Sequence, residues 1–213
     1  MTTPSARVLD ALAATPLIAI LRGIQVPEAV AVVEALLAHG MRVVEVPLNS
    51  PQALRSVQTL VGHFGDDIVC GAGTVVDAAE VDGVAAAGGQ IVVSPNTDPV
   101  VIARTIELGL LPMPGAATPT EAYAALRAGA RHLKMFPADQ LGPATLKAWK
   151  SVLPADVSIY PVGGVTPENL ADFLVAGAAG AGIGSALYKP GMRAADVALR
   201  ARRFAAALQE ARR

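Results

Sequence analysis

Two side chains of this sequence hold the makings of covalent carbonyl chemistry. Lys134 stands in the apolar, strand-like run RHLKMF (131–136), and Glu45 stands in RVVEVPL (42–48). Only the free amine attacks a carbonyl, and a lysine of ordinary pKa, about 10.4, is almost wholly protonated at neutral pH. Burial among Leu133, Met135, Phe136 and Pro137 disfavours the ammonium and lowers that pKa. A pKa lower by about 3, equivalent to roughly 4 kcal/mol, makes the free amine a substantial fraction. Condensed with a ketone, such a lysine becomes a protonated imine that withdraws electrons from the neighbouring carbon–carbon bond. Protons must then move to and from the alcohol, the carbinolamine and the enamine carbon. Glu45 is the only acidic side chain near a strand end that strand alternation turns inward, so it is the candidate general acid/base. The competing reading is a buried structural ion pair with little net effect on stability.

The elements that must position these residues repeat. Strand-like runs occur at LIAILR (17–22), RVVEVPL (42–48), IVCGAG (68–73), QIVVS (90–94), GLLPMP (109–114), RHLKMF (131–136), SIYPVGG (158–164) and GAGIGS (180–185). Each is followed by an alanine-, leucine- and glutamate-rich stretch, several opening on Ser50-Pro51, Asp98-Pro99 or Thr166-Pro167 as caps. Strict alternation of strand and helix implies parallel strands with helical crossovers. Eight units predict an α/β fold, a (β/α)8 TIM barrel, with residues 1–213 forming a single barrel domain with a short N-terminal helix. An open doubly wound sheet is the runner-up. In the barrel, Val44, Val46, Leu133 and Met135 face the helices, while Val43, Glu45, Pro47, His132, Lys134 and Phe136 face the axis. The two opposite charges therefore point into an otherwise apolar interior, near the strand ends where barrel active sites sit.

The remaining candidates surround that pair. The runs VGGVTPEN (162–169) and GIGSALY (182–188) follow strands seven and eight, the usual location of a barrel phosphate site. Gly163, Gly164, Gly184 and Ser185 are its expected lining; tight turns alone are the bland alternative. Arg22, at the end of strand one, can grip an anion with two parallel hydrogen bonds, and that anion is a carboxylate or a phosphate. Thr74 closes strand three, Pro95 follows strand four, Phe136 ends strand six and Val162 precedes the glycine pair. All four are expected to touch substrate. His39 and His63 fall at helix ends and His132 lies toward the opposite end of the barrel, so no convergent ligand set forms and no metal or other cofactor is expected.

Bulk composition narrows the partners. Hydrophobic residues make up 53% and charged ones 16%, far from the profile of a disordered chain. A net charge of −1 offers no electrostatic case for nucleic acid or an anionic membrane. The longest uncharged stretch, 173–188, falls short of a span and is broken by glycines. Asp10, Pro16 and Arg22 interrupt the N-terminal apolar run, so no export signal is expected, and the single cysteine, Cys70, suits a reducing cytoplasm.

Taken together, PLIAILRG, VEVPLNSP, GAGTV, LKMFPA, VGGVTPEN and GAGIGSALY resemble the class I 2-keto-3-deoxy-phosphosugar-acid aldolases. The stretches keep the family's order and spacing from about residue 15 to the C-terminus. The resemblance implies cleavage of a small phosphorylated 2-keto-3-deoxy sugar acid to pyruvate and D-glyceraldehyde 3-phosphate. It also implies a homotrimer that needs no metal, with Lys134 as the imine lysine and Glu45 as the acid/base. Where the 6-phosphogluconate branch of the family reads TLRT after its glutamate and threonine before the glycine pair, this chain has PLNS and Val162. Both departures resemble the 2-dehydro-3-deoxy-6-phosphogalactonate branch; the gluconate epimer and 4-hydroxy-2-oxoglutarate are the alternative substrates. A phosphate-binding barrel isomerase or epimerase using Glu45 alone, and a non-catalytic sugar-phosphate sensor, are the competing readings.

Overall fold

All eight apolar runs form parallel strands, each leading into a helix, in the computed structural model, which describes residues 6–212. Helix α1 (Ala6–Ala14) precedes β1 (Leu17–Ile20), α2 (Val26–Leu37), β2 (Val43–Pro47), α3 (Ala53–Phe64), β3 (Val69–Gly73) and α4 (Ala78–Ala86). Next come β4 (Ile91–Val93), α5 (Pro99–Glu107), β5 (Leu111–Met113), the two-residue β6 (Gly115–Ala116) and α6 (Pro119–Arg127). The chain ends with β7 (His132–Met135), α7 (Ala138–Lys150), β8 (Ser158–Pro161), α8 (Leu170–Val175), β9 (Ala181–Ile183) and α9 (Ala194–Ala211). No helix among the described residues is long and apolar enough to cross a membrane.

Hydrogen bonding divides the strands into two parallel sheets. One runs β5-β4-β3-β2-β1-β9 and the other β6-β7-β8. The order follows the chain without the reversal that a doubly wound sheet makes at its switch point, and the last strand returns to the first. The division has a covalent cause on one side. Pro114 separates β5 from β6 and has no N–H to donate, so the ladder breaks there although its carbonyl still accepts from the Lys134 N–H at 2.9 Å. On the other side, β8 and β9 are linked by a single bridge, Val162 to Gly182.

Strand alternation sorts the core as expected. Val44, Val46, Leu133 and Met135 belong to the large cluster that joins strands to helices. Ile18, Val43, Val69, Ile91, Val93, Leu111, Met113 and Tyr160 form a separate inner cluster, capped by Val8 and Leu12 of α1. The inner cluster gives Glu45 and Lys134 an apolar floor. Two capping expectations fail. Helix α3 starts at Ala53 with Gln52 at its N-cap in a left-handed conformation (φ +48°), while the buried Ser50 hydroxyl accepts the Gly23 N–H at 2.8 Å instead. Helix α8 starts at Leu170, and the Thr166 N–H is bonded to the Asn169 side chain at 2.9 Å. Ser50 thus satisfies a loop donor, while at Thr166 the Asn169 side chain accepts its N–H, arrangements that local sequence does not distinguish from a helix cap. Asp98 does cap α5, accepting from Val100 at 2.8 Å.

Candidate active site

A cavity of about 600 Å³ opens at the C-terminal ends of the strands. Arg22, Thr74, Pro95, Lys134, Phe136, Val162, Gly163, Gly164, Gly184 and Ser185 all line it, so ten of the eleven expected site residues share one space. The eleventh, Glu45, lies against Gly73, sealed to 2% exposure.

Backbone register sets up the central pair. Glu45 pairs with Ile20 and Gly71 on its two neighbouring strands, and Lys134 with Gly115 and Tyr160. Lys134 is 5% exposed. Burial lifts the Glu45 carboxyl to about 7, opposed by the positive charges of Lys134 and Arg22. Burial pushes Lys134 below the usual lysine range; the Glu45 charge opposes that shift and the Arg22 charge adds to it. The Lys134 Nζ also sits 4.7 Å from the centroid of the Phe136 ring, a contact that favours the ammonium and tempers the effect of burial. The pair thus holds a weakened acid and a weakened base whose titrations converge toward neutrality, an arrangement suited to proton transfer.

Glu45 is held by shape. Its Oε2 is buried without a hydrogen-bond partner, and a Cβ placed on Gly73 would stand 2.0 Å from that atom and 2.5 Å from Oε1. Gly73 is therefore the residue that leaves room for the carboxylate, a role sequence inspection of GAGTV does not reveal. Gly73→Ala should drive the Glu45 carboxylate out of place and lower kcat by on the order of 100-fold, the scale on which misplacing a reacting group by an ångström acts. A kcat within twofold of the parent, in a variant of unchanged melting temperature, would contradict this.

Arg22 reaches across the neighbouring strand ends. Its guanidinium donates to the Asn49 Oδ1 at 2.6 Å and to the Thr74 hydroxyl at 3.4 Å. Thr74 adopts φ +58°, a left-handed conformation costly for a β-branched residue, and so presents its hydroxyl to Arg22. On the other flank, the loop after β8 is pressed onto the start of α7. Gly164 has φ +68°, and a Cβ there would lie 2.5 Å from the Asp139 Cβ. Packing thus requires glycine at 164, and the left-handed backbone at Gly163 (φ +100°) favours it there too. Val162, 8% exposed, packs over Gly182, where a Cβ would meet it at 2.7 Å.

Sequence reasoning missed three cations on this flank. Lys189, Arg200 and Arg203 line the cavity beside Gly184 and Ser185. Two of them come from α9, the helix farthest along the chain from the rules that point to strand-end loops; the only legible sign was the basic run RARR. His132 lies among Leu9, Leu12 and Tyr160 at the other end of the strands, and burial lowers its pKa. Among the described residues, no group of three or more His, Cys, Asp or Glu converges as a metal site.

Residues 8–209 match the aldolase family described as KDPG and KHG aldolase. The chain is 49% identical over 196 residues to the 2-dehydro-3-deoxy-6-phosphogalactonate aldolase of Escherichia coli strain K12, covering 92% of this chain and 96% of that protein. A solved structure described as native KDPGal is similar to it with a TM-score of 0.91 and 49% identity, over 92% of this chain and 95% of the other. A chain from a cube-shaped cage made by fusing symmetric oligomeric domains matches with a TM-score of 0.92 and 48% identity, over 93% of this chain and 73% of its own length.

Proposed function

The chain belongs to the KDPG and KHG aldolase family, and from that premise we propose that it cleaves 2-dehydro-3-deoxy-6-phosphogalactonate to pyruvate and D-glyceraldehyde 3-phosphate through an imine on Lys134. The observation that carries the proposal is that Lys134, its pKa lowered by burial, lines the cavity while the buried Glu45, its pKa raised by burial, lies near enough for each charge to act on the other. An isomerase or a sugar-phosphate sensor has no use for a desolvated amine at that position.

The proton inventory follows from the geometry. Neutral Lys134 adds to the C2 ketone, and Glu45 supplies the proton that lets the carbinolamine oxygen leave as water. The resulting iminium accepts the C3–C4 bonding electrons when the C4 hydroxyl gives its proton to the Glu45 carboxylate, releasing the aldehyde. Glu45 then returns that proton to C3 of the enamine, and water hydrolyses the imine to release pyruvate and free Lys134. A carboxyl titrating near 7 can both give and take a proton at neutral pH, whereas one near 4.5 could only accept. Arg22, oriented by Asn49 and Thr74, stands close enough to bias both pKa values and is the proposed partner of the substrate carboxylate. Pro95 and Phe136 wall the pyruvyl portion, while Gly163, Gly164, Gly184 and Ser185 border the phosphate.

The galactonate preference rests on the 49% identity to the Escherichia coli enzyme and on the apolar Val162 wall. Pyruvate release from the galactonate substrate and its gluconate epimer, compared as kcat/KM side by side, tests it. An equal or reversed preference would overturn the assignment. Val162→Thr should move the ratio of the two toward the gluconate epimer by about 10-fold, the net worth of one added neutral hydrogen bond to a substrate hydroxyl. An unchanged ratio would remove Val162 from the account.

We read the two sheets as one (β/α)8 barrel whose fifth strand is divided at Pro114 into β5 and β6. The single bridge between β8 and β9 supports this reading. A homotrimer in the cytoplasm is the proposed setting. The likeness to a chain built into a cage from symmetric oligomeric domains supports assembly, and the lone buried Cys70 fits a reducing compartment.

A further inference from the structure

Arg22 opens the short loop between β1 and α2, and residues from two other strand ends hold that loop. Gly23, at φ +79°, donates its N–H to the Ser50 hydroxyl at 2.8 Å, and a Cβ on it would stand 2.6 Å from the Pro190 Cγ. The Pro190 ring therefore rests on the backbone beside Arg22. Two residues earlier, the buried Tyr188 donates its hydroxyl to the Glu28 Oε1 at 2.7 Å, across 160 positions of the chain. The same oxygen accepts the Gln25 N–H at 2.9 Å, where the loop passes into α2. One carboxylate atom thus ties the Arg22 loop to the turn after β9. Burial and the Glu28 carboxylate hold the Tyr188 hydroxyl above the usual tyrosine range, so it stays a donor at neutral pH, and the Gly191 amide faces its oxygen. The turn is anchored elsewhere as well. The Tyr188 N–H donates to the Gly184 carbonyl at 3.0 Å, and Arg200 of α9 donates to the carbonyls of Ser185 at 3.1 Å and Ala186 at 3.3 Å. The turn is therefore the fixed side of the contact, and the loop is the side it holds.

We propose that Tyr188 and Glu28 form a clasp that positions Arg22 for the substrate carboxylate, which makes both of them positioning residues of the reaction. The inference rests on the reading of Arg22 as the carboxylate partner at an imine-forming site. Arg22 is exposed, and a long exposed side chain keeps its place only as well as the backbone beneath it does. Asn49 and Thr74 orient the guanidinium from one side, while the clasp fixes the loop it springs from. A phenylalanine would fill the buried site of Tyr188 as well; the hydroxyl adds the bond to Glu28.

Imine formation with two ketones isolates the effect. Lys134 condenses with pyruvate or with acetone, losing water, and borohydride delivers hydride to the imine carbon, leaving an adduct read by mass. The Arg22 charge bears on the Lys134 amine in both reactions, whereas only pyruvate offers a carboxylate. The ratio of the two labelling rates, pyruvate over acetone, therefore reports the placement of Arg22. Arg22→Gln should lower that ratio by about 10-fold or more, the weight of a hydrogen bond to a charged group. Tyr188→Phe and Glu28→Ala should each lower it by about 3- to 10-fold, since each removes one such bond from the loop. Glu28→Gln, whose amide oxygen still accepts both donors, should stay within about twofold of the parent. A parent-like ratio in Tyr188→Phe and Glu28→Ala would overturn the clasp, even if labelling by both ketones fell together, because that is the signature of a merely structural contact. A fall in Glu28→Gln as deep as in Glu28→Ala would also overturn it. A parent-like ratio in Arg22→Gln would overturn the carboxylate role of Arg22, and the clasp with it. Failure of pyruvate and borohydride to modify Lys134 in the parent would instead overturn the aldolase reading on which both rest.

Discussion

Lys134→Met should abolish pyruvate release, lowering turnover by on the order of 10⁴-fold or more, the scale on which covalent nucleophiles are missed. In the parent protein, pyruvate with borohydride should leave one reduced pyruvyl adduct per chain, located on Lys134; the variant should gain no mass. Lys134 is suited to the reaction because desolvation at 5% exposure lowers its pKa, and the Arg22 charge lowers it further. The Glu45 charge pulls the other way, so the free amine is most available when Glu45 holds a proton. Methionine fills much of the same volume and takes a charge out of an apolar surround. The variant also strips Glu45 of the positive charge that opposes its desolvation, so above about pH 7, where that carboxyl ionises in the parent, it should melt lower than the parent, because removing one partner of a buried charge pair is destabilising. Turnover above about one hundredth of the parent value, or an adduct on any other lysine, would refute the imine assignment.

The second large effect concerns Glu45, and it couples activity to stability. Glu45→Gln should slow turnover by about 10²–10⁴-fold, as loss of a general acid/base does, while Lys134 still forms a trappable adduct. The stability change should have the opposite sign. The carboxyl binds its proton more tightly in the folded protein, near 7, than in the unfolded chain, near 4.5. Its contribution is therefore fully present below about 4.5 and is lost as pH rises through about 7. Glutamine carries no such loss. The variant should accordingly exceed the parent in stability at pH 8 by on the order of 3 kcal/mol, with the gap nearly closed at pH 4. Denaturant titrations of both proteins across that range would read it directly. A gap independent of pH would mean that the folded carboxyl titrates normally, and its role in proton transfer would fall with that result. Together with Gly73, whose missing Cβ makes room for the carboxylate, the pattern is of an acid kept in an unfavourable setting because the setting tunes it.

Sequence by itself determined which side chains face inward. A period of two along β2 and β7 turns Glu45 and Lys134 to the same side as Val43 and His132, and that inference needs only the apolar partners of alternating residues. It also determined the eight strand–helix units, since each apolar run is bounded by polar or glycine-rich punctuation that survives without tertiary context. The caps expected at Ser50 and Thr166 fail because the short side chains of Ser50 and Asn169 satisfy whichever backbone donor lies nearest, Gly23 and Thr166 respectively, and which one that is depends on the loop's path.

Tertiary structure decided what the inward residues meet. Nothing local to GAGTV says that Gly73 touches a carboxylate from the next strand, or that Thr74 takes a left-handed turn under Arg22. Nothing local to RARR says that α9 folds back to place Arg200 and Arg203 beside the turn at Ser185. The shifts of Glu45 and Lys134 belong to the same class, because desolvation is a property of everything packed around a group. Facing direction is a one-dimensional periodicity and can be read along a chain; proximity and burial arise only when distant segments pack together.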